Sequence, residues 1–270
     1  MGAGYGITDV VIPQTATVSG ASRKVTAIAA SAFQNRAITS VVMPDSINSI
    51  GSYAFDTNKL TSIKFPAGLT SIAAGAFSGN QLTSVVIPDR ITSIGLSAFS
   101  KNAISSLTLS SSLATIPVSA FDTNNLTSVT IPASVTSIGG NAFSNNKLQS
   151  VSIPNTVTTI DNSAFRSNSI TSLSLGTGLK TLGDFVFFNN PNLPDNLEIP
   201  ASMTSMGNRT LESATLKNIR MAGNAPTTFS TGSTNPTGTF GSPTGKKVYY
   251  KSTATGYTSP TWKGYSTATY

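Results

Sequence analysis

With no histidine and no cysteine, the chain's candidates for chemistry are its ten Asp and Glu residues. There is accordingly no Ser–His or Cys–His nucleophile pair, no thiolate, no disulfide and no ordinary zinc site. Glycoside hydrolysis needs only two carboxylates, set about 5–9.5 Å apart, so the acids call for a geometric check. The chain repeats every 22 residues, and stacked strands lie about 4.8 Å apart. On that spacing Asp56 and Asp122 share a column three coils apart, about 14 Å, and Asp45 and Asp89 lie two coils apart, about 10 Å. Asp161 and Asp184 fall in adjacent coils but are shifted by one column. Asp45 and Asp89 each follow a proline, and Asp161 and Asp184 stand near a recurrent glycine. These positions suit turns better than an acid–base pair. Phosphate-binding loops of the G-x-x-x-x-G-K-[ST] or strand-anchored G-x-G-x-x-G type are absent. The expectation is therefore a protein that is not an enzyme, with no catalytic residue, no metal ligand and no cofactor.

Charge narrows the partners further. Seventeen basic residues against ten acidic ones give a net +7, and no acid follows Glu212. The stretch 213–270 holds six positive charges (Lys217, Arg220, Lys246, Lys247, Lys251 and Lys263) and no negative one. These charges are spread along the stretch rather than gathered into a Lys/Arg run, so nucleic acid is not an expected partner. Only 10% of the chain is charged, against roughly 25% in ordinary globular domains; Ser, Thr, Asn and Gly must therefore supply the surface. No apolar run is long enough to span a bilayer, and MGAGYGITDVVIP lacks a basic segment followed by an apolar one. The chain reads as a mature or trimmed one without a transmembrane segment.

The element that positions every side chain is a repeat. Phenylalanine recurs at Phe33, Phe55, Phe77, Phe99, Phe121, Phe143, Phe165 and Phe187, always 22 residues apart. Ala precedes the first seven and Val186 the eighth. In one copy, Leu126 to Phe143, the apolar columns are Leu126, Val129, Ile131, Val135, Ile138, Ala142 and Phe143, matched by Leu82, Val85, Ile87, Ile91, Ile94, Ala98 and Phe99. The L-x-x-V-x-I spacing describes a short strand with alternate side chains turned inward. A second piece, V-T-S-I, turns back beneath it, and the Ala-Phe pair is expected in a short helical or 3-10 turn that closes the coil. Pro44, Pro66, Pro88, Pro132 and Pro154 end the first strand, where a missing N–H does least harm. One coil buries too little apolar surface to stand alone, so the coils must stack.

Two further columns read as structural. Asn58, Asn80, Asn102, Asn124, Asn146, Asn168 and Asn190 each lie three residues after the phenylalanine, where a side-chain amide can satisfy backbone groups of neighbouring coils. Gly51, Gly95, Gly139 and Gly183 suit a turn that needs positive φ or a close backbone approach. The pattern decays at both ends, as solenoid caps require. Near the start, TVSGASRK suggests a small hairpin. Near the end, a coil lengthened by two residues is followed by Leu216, Ile219 and Met221, then a polar loop and an aromatic tail.

These motifs resemble the BspA-like, Treponema-type leucine-rich repeats, whose coils run L-x-x-I-x-I-P-x-x-V-x-x-I-G-x-x-A-F with a Cys or Asn three residues on. The likeness covers roughly residues 7 to 223, and VYYKSTATGYTSPTWKGY is similar to the segment that often closes such proteins. The resemblance implies a leucine-rich-repeat solenoid, mostly β with short helical or 3-10 turns, built of 22-residue coils with parallel stacked strands and N- and C-terminal caps. The expected divisions are an N-terminal cap with a degenerate first coil at 1–32, the solenoid at 33–223, and a C-terminal loop with an aromatic cap at 224–270. It further implies a bacterial cell-surface or secreted, extracellular protein that adheres to a host matrix or cell-surface protein, a glycan, or another bacterial surface component.

The candidate binding face is the outward side of the first strand. Its columns include Ser62, Lys64, Ser84, Val86, Ser106, Thr108, Ser128, Thr130, Ser150 and Ser152. In leucine-rich repeats this face commonly meets partners, although here it has no aromatic anchor of the kind that dominates tight interfaces. In the tail, Tyr257, Trp262 and Tyr265 are a second candidate surface, since aromatic rings beside lysines suit sugars or anionic polymers. The rival reading of the tail is a cap over the last coil. A monomer is expected. Two other roles fit the repeat: a structural spacer without a specific ligand, and, more remotely, an ice-binding solenoid, which needs a flat Ser/Thr ladder.

Overall fold

The computed structural model describes residues 8–213, 215–229 and 238–270. Among these the chain is a β-solenoid of short parallel strands joined by turns, with no helix. It forms two compact units, Met1–Leu113 with Ser119–Leu126, and Ala114–Val118 with Thr127–Tyr270.

In the first unit, strand Asp9–Val11 pairs with Ser40–Val42, and Ser84–Val86 with Ser106–Thr108, parallel and in register. The second piece of the coil also pairs: Ala27–Ile28 with Ser49–Ile50, and Ser71–Ile72 with Ser93–Ile94. In the second unit, Ser150–Ser152 pairs with Ser172–Ser174. There the two-residue strands Thr115–Ile116, Ser137–Ile138, Thr159–Ile160, Thr181–Leu182, Ser205–Met206 and Thr228–Phe229 form one unbroken six-stranded ladder. The shorter element thus builds the longer sheet. The first strands pair only two at a time before the last coils, whereas each V-T-S-I piece follows a tight turn that sets its start, such as the Ile91 N–H donating to the Pro88 carbonyl at 2.9 Å. At 62–64 and 128–130 the first-strand ladder lapses.

The Ala-Phe segment departs from the expected helical turn. The Ala54 N–H donates to the Gly51 carbonyl and the Asp56 N–H to the Tyr53 carbonyl, giving two successive tight turns. Tyr53 and Thr57, two residues on either side of Phe55, have φ of 59° and 55°. The same left-handed pair recurs at Ser97 and Lys101, Asn141 and Asn145, and Ser163 and Ser167, and at Gly75 and Gly79, where glycine takes it without strain. A right-handed helical turn has no place for such residues. The next coil holds them: the N–H of Tyr53 donates to the Ala74 carbonyl, that of Phe55 to Ala76 and that of Thr57 to Ser78, each at 2.9 Å.

Packing follows the column arithmetic. In the first unit the rings of Phe33, Phe55, Phe77, Phe99 and Phe121 stack with centroids 5.3, 5.6, 5.7 and 5.6 Å apart and planes within 11°. In the second, Phe143, Phe165 and Phe187 stack at 5.4 Å. All but Phe33 are fully buried. Asparagine bridges the coils: the Asn58 Oδ1 accepts from the Arg36 and Ile38 N–H groups, while its Nδ2 donates to the carbonyls of Phe33, Phe55 and Asp56. The recurrent glycine at position 95 serves close approach rather than positive φ, since a Cβ there would lie 2.3 Å from the Ala74 backbone nitrogen.

At the start, Thr15–Val18 and Ala21–Lys24 form an antiparallel hairpin around Ser19 and Gly20, both with positive φ. At the end, Leu197–Ile199, Asn218–Met221, Lys247–Tyr250 and Tyr265–Thr269 pair in parallel, and Thr261–Trp262 folds back antiparallel. The row Leu216, Ile219 and Met221 is buried, with Val248 and Tyr250 occupying the next row.

Candidate binding surfaces

Alternation along the first strand decides which side chains reach solvent. Val85 and Val151 point into the core, so their neighbours Ser84 and Val86, and Ser150 and Ser152, point out and are exposed. Ser62, Lys64, Ser106 and Thr108 in the first unit, and Ser128 and Thr130 in the second, are exposed as well. Val86, at 61% exposure, is the largest apolar side chain among these positions.

These side chains are unused, unlike several threonines elsewhere on the surface. The Thr136, Thr158, Thr171, Thr204 and Thr227 hydroxyls donate to carbonyls of the preceding coil. By contrast, the hydroxyls of Ser62, Ser84, Ser106, Thr108, Ser128, Thr130, Ser150 and Ser152 have no hydrogen-bond partner, and Lys64 no ion-pair partner, among the described residues. A sheet face whose polar groups lack internal partners offers donors and acceptors to water or to a second molecule.

The tail aromatics are placed differently. Trp262 and Tyr265 are buried, and Tyr257 is half-buried. Tyr257 stacks on Tyr250 at 4.6 Å and meets Trp262 edge-on, and its hydroxyl donates to the Gly223 carbonyl. Tyr265 packs against Phe240; its hydroxyl donates to the Gly241 carbonyl at 2.8 Å and accepts from the Phe240 N–H. Burial pushes the Tyr265 phenol up to about 12, and burial with the neighbouring Tyr270 raises that of Tyr257 as well. These rings are the packing of the last coils.

The carboxylates cap turns. Asp45 accepts from the Ala67 N–H and Asp89 from the Ser111 N–H, and the latter bond lowers the Asp89 pKa. Asp184 accepts from the Asn208 N–H. Burial raises the pKa of Asp195, but N–H donors from Asn218, Lys217 and Asn196 outweigh it and hold the carboxyl below its usual value. No group of three or more His, Cys, Asp or Glu residues that could hold a metal ion occurs among the described residues. No helix of the described residues is long and apolar enough to cross a membrane.

Two concavities flank the last coils. The two-residue lengthening displaces the register from 22 to 24, so that Leu182 pairs with Met206. Ser172–Ser174 then makes no ladder with Leu197–Ile199, and a cavity of about 580 Å³ opens there, lined by Leu173, Asp195 and Glu198 among others. The second concavity, about 650 Å³, lies over the starts of the tail strands and gathers Lys217, Lys246 and Lys247. Sequence reasoning singled out neither cavity. The signal for the second was present: adjacent lysines at 246 and 247 in a stretch without an acid.

Comparison with known proteins agrees with this architecture. The crystal structure of the pneumococcal vaccine antigen PcpA is similar over 94% of this chain and 86% of that one, with a TM-score of 0.56 and 23% identity, a likeness of fold alone. A leucine-rich cell surface protein from Faecalibacterium prausnitzii A2-165 aligns over 79% of this chain and 81% of that one, at 21% identity and a TM-score of 0.44, too low to carry an argument. No curated protein sequence matches the chain. The family model described as a BspA type leucine rich repeat region of six copies matches residues 26–147 and 114–230. With coils, capping asparagines and phenylalanine ladder all in place across those residues, the chain belongs to the BspA-type leucine-rich repeat family.

Proposed function

We propose that this is a non-enzymatic bacterial surface or secreted protein that binds a protein or glycan partner through the outward columns of its first strand, acting as a monomer. The observation that carries the reading is the set of exposed, internally unpartnered hydroxyls at Ser84, Ser106, Thr108, Ser150 and Ser152. The outward column of the second ladder, with Ser49 and Ser93, is likewise unpartnered among the described residues, and the first-strand face is preferred because a three-residue strand such as Ser84–Val86 presents two outward side chains where a two-residue strand such as Ser93–Ile94 presents one. With Val86 as its largest apolar group and no aromatic ring, the first-strand face suits repeated weak polar contacts over one deep anchor. The buried Trp262 and Tyr265 are assigned to the cap and not to ligand binding.

The test is a panel of immobilised matrix proteins, cell-surface proteins and glycans probed with the full chain and with the triple variant Ser84→Arg, Ser106→Arg, Ser150→Arg. The account predicts at least one binder, lost in the variant at an unchanged melting temperature. A binder retained at full affinity by the variant would remove the face from the account; no binder on the panel would favour a structural spacer.

A further inference from the structure

The lysine-lined concavity at the tail strands is a second binding surface, of a chemistry different from that of the strand face. Lys217 precedes strand Asn218–Met221, Lys246 precedes the neighbouring strand Lys247–Tyr250, and Asn218 pairs in register with Lys247. The pairing gathers the backbones of Lys217, Lys246 and Lys247 at one end of two adjacent strands, and like charges so gathered cost energy unless something neutralises them. Among the described residues neither the Lys217 nor the Lys247 ammonium has a hydrogen-bond or ion-pair partner; Lys247 only approaches the Tyr249 ring, at 5.3 Å. Lys246 is buried beneath them, and its ammonium donates to the carbonyls of Ser213 and Leu216, leaving one of three donors without a partner among the described residues.

The acids near this concavity are already engaged. Asp195 is held by the backbone N–H groups of Asn196, Lys217 and Asn218 and by the Asn218 amide, and Glu212 is paired with Arg209. Among the described residues no carboxylate lines the concavity, whereas Thr244, Thr261 and Ser266 bring hydroxyls to it. A concave surface of one charge sign focuses its field on an incoming counter-ion. Lysine binds phosphate or sulfate oxygens as a compact point charge, where arginine would bind the same groups through its planar fork. The described lining holds no aromatic ring, so the base stacking that marks recognition of single-stranded nucleic acid is missing.

We infer that this concavity, built on Lys217, Lys246 and Lys247 and rimmed by hydroxyls, binds a polyanionic glycan whose charge is carried by sulfate or phosphate groups. The ligand chemistry is a polyhydroxylated chain with tetrahedral oxyanions at intervals, and the site is independent of the first-strand face.

The experiment measures binding of the full chain to a heparin dodecasaccharide, to poly(glycerol phosphate) of similar charge, to neutral dextran and to duplex DNA, each across a salt series. Lys217→Gln with Lys247→Gln is the test variant, and Lys59→Gln with Lys147→Gln is the charge-matched control. Binding to the sulfated or the phosphate polymer, weakened at least tenfold and with a shallower salt dependence in the test variant only, supports the inference, and the tighter of the two polymers identifies the source. Absence of binding to both at low salt, equal weakening in the control variant, or tighter binding of DNA would overturn it. Because both test lysines lie outside the strand face, the Ser→Arg triple variant should bind the polyanion normally, which keeps failure of this site distinct from failure of the strand-face reading.

Discussion

Phe99 lies between Phe77 and Phe121 with its ring parallel to both, so truncating it removes two stacking contacts and leaves a cavity that neighbouring coils cannot fill. Phe99→Ala is predicted to cost about 3–5 kcal/mol in chemical denaturation; a loss under about 1 kcal/mol would mean the ladder is not core. Asn80→Ala acts by another route. The Asn80 side chain accepts from the Leu60 N–H and donates to the carbonyls of Phe55, Phe77 and Ser78, and the alanine strands those buried groups. Each orphaned group costs about 1–3 kcal/mol, so this polar-to-apolar change should destabilise by at least as much as a large core truncation; a neutral effect in the same assay would show that water takes the place of the amide. At this scale the phenylalanine and asparagine columns are legible in the sequence because each has one residue type that fits. The left-handed positions two residues either side of phenylalanine are not, since Tyr, Thr, Ser, Lys, Asn and Gly all occupy them and the inter-coil bonds, not the residue type, hold the conformation.

At the scale of the element, the tail behaves as the last coils of the stack. Lys247–Tyr250 lies in register against Asn218–Met221, and the rings of Phe229, Phe240, Tyr257, Trp262 and Tyr265 pack on one another. Deleting residues 224 to 270 exposes Leu216, Ile219 and Met221 and is predicted to lower the melting temperature and produce oligomers by light scattering; an equally stable monomer would show the tail to be a separate module. Alkali tests the same packing more gently. Tyr265 ionises at about 12 in the folded chain against 10.0 for an ordinary tyrosine, so its stabilising contribution is complete below pH 10 and falls away as the pH rises towards 12. Tyr257 shifts in the same direction. Lys246, lowered by burial and only partly restored by Glu212 and Asp195, works in the opposite sense. The two phenols outnumber it, and Trp262, the single tryptophan, sits among them as a reporter. Its fluorescence should show the cap loosening between pH 10 and 12; an unchanged signal and melting temperature across that range would contradict the packing. The cap is readable from the aromatic tail following a last apolar row. The six-stranded ladder of two-residue strands is not, because S-I or T-I carries no strand signal until its neighbours are stacked on it.

For the whole molecule, the division of work between columns is the central claim: inward columns and bridging amides hold the coils, and the outward columns of the first strand meet the partner. The near absence of charge and the lack of aromatic anchors on that face are why the sequence marks it without naming a ligand. The lysine concavity is half legible: the adjacent lysines at 246 and 247 stand in the sequence, but Lys217 joins them only once the strands have paired. The cysteine-free chain allows a direct measurement. Single-cysteine variants are made at Ser106 and Ser150 on the face, and at Ser49 and Ser93 on the second ladder, four positions that are all exposed and free of side-chain hydrogen bonds among the described residues. Each is labelled with an environment-sensitive fluorophore and titrated with the partner found on the binding panel. The account predicts a saturable spectral change at Ser106 or Ser150 and none at Ser49 or Ser93. A change confined to Ser49 or Ser93 would contradict it.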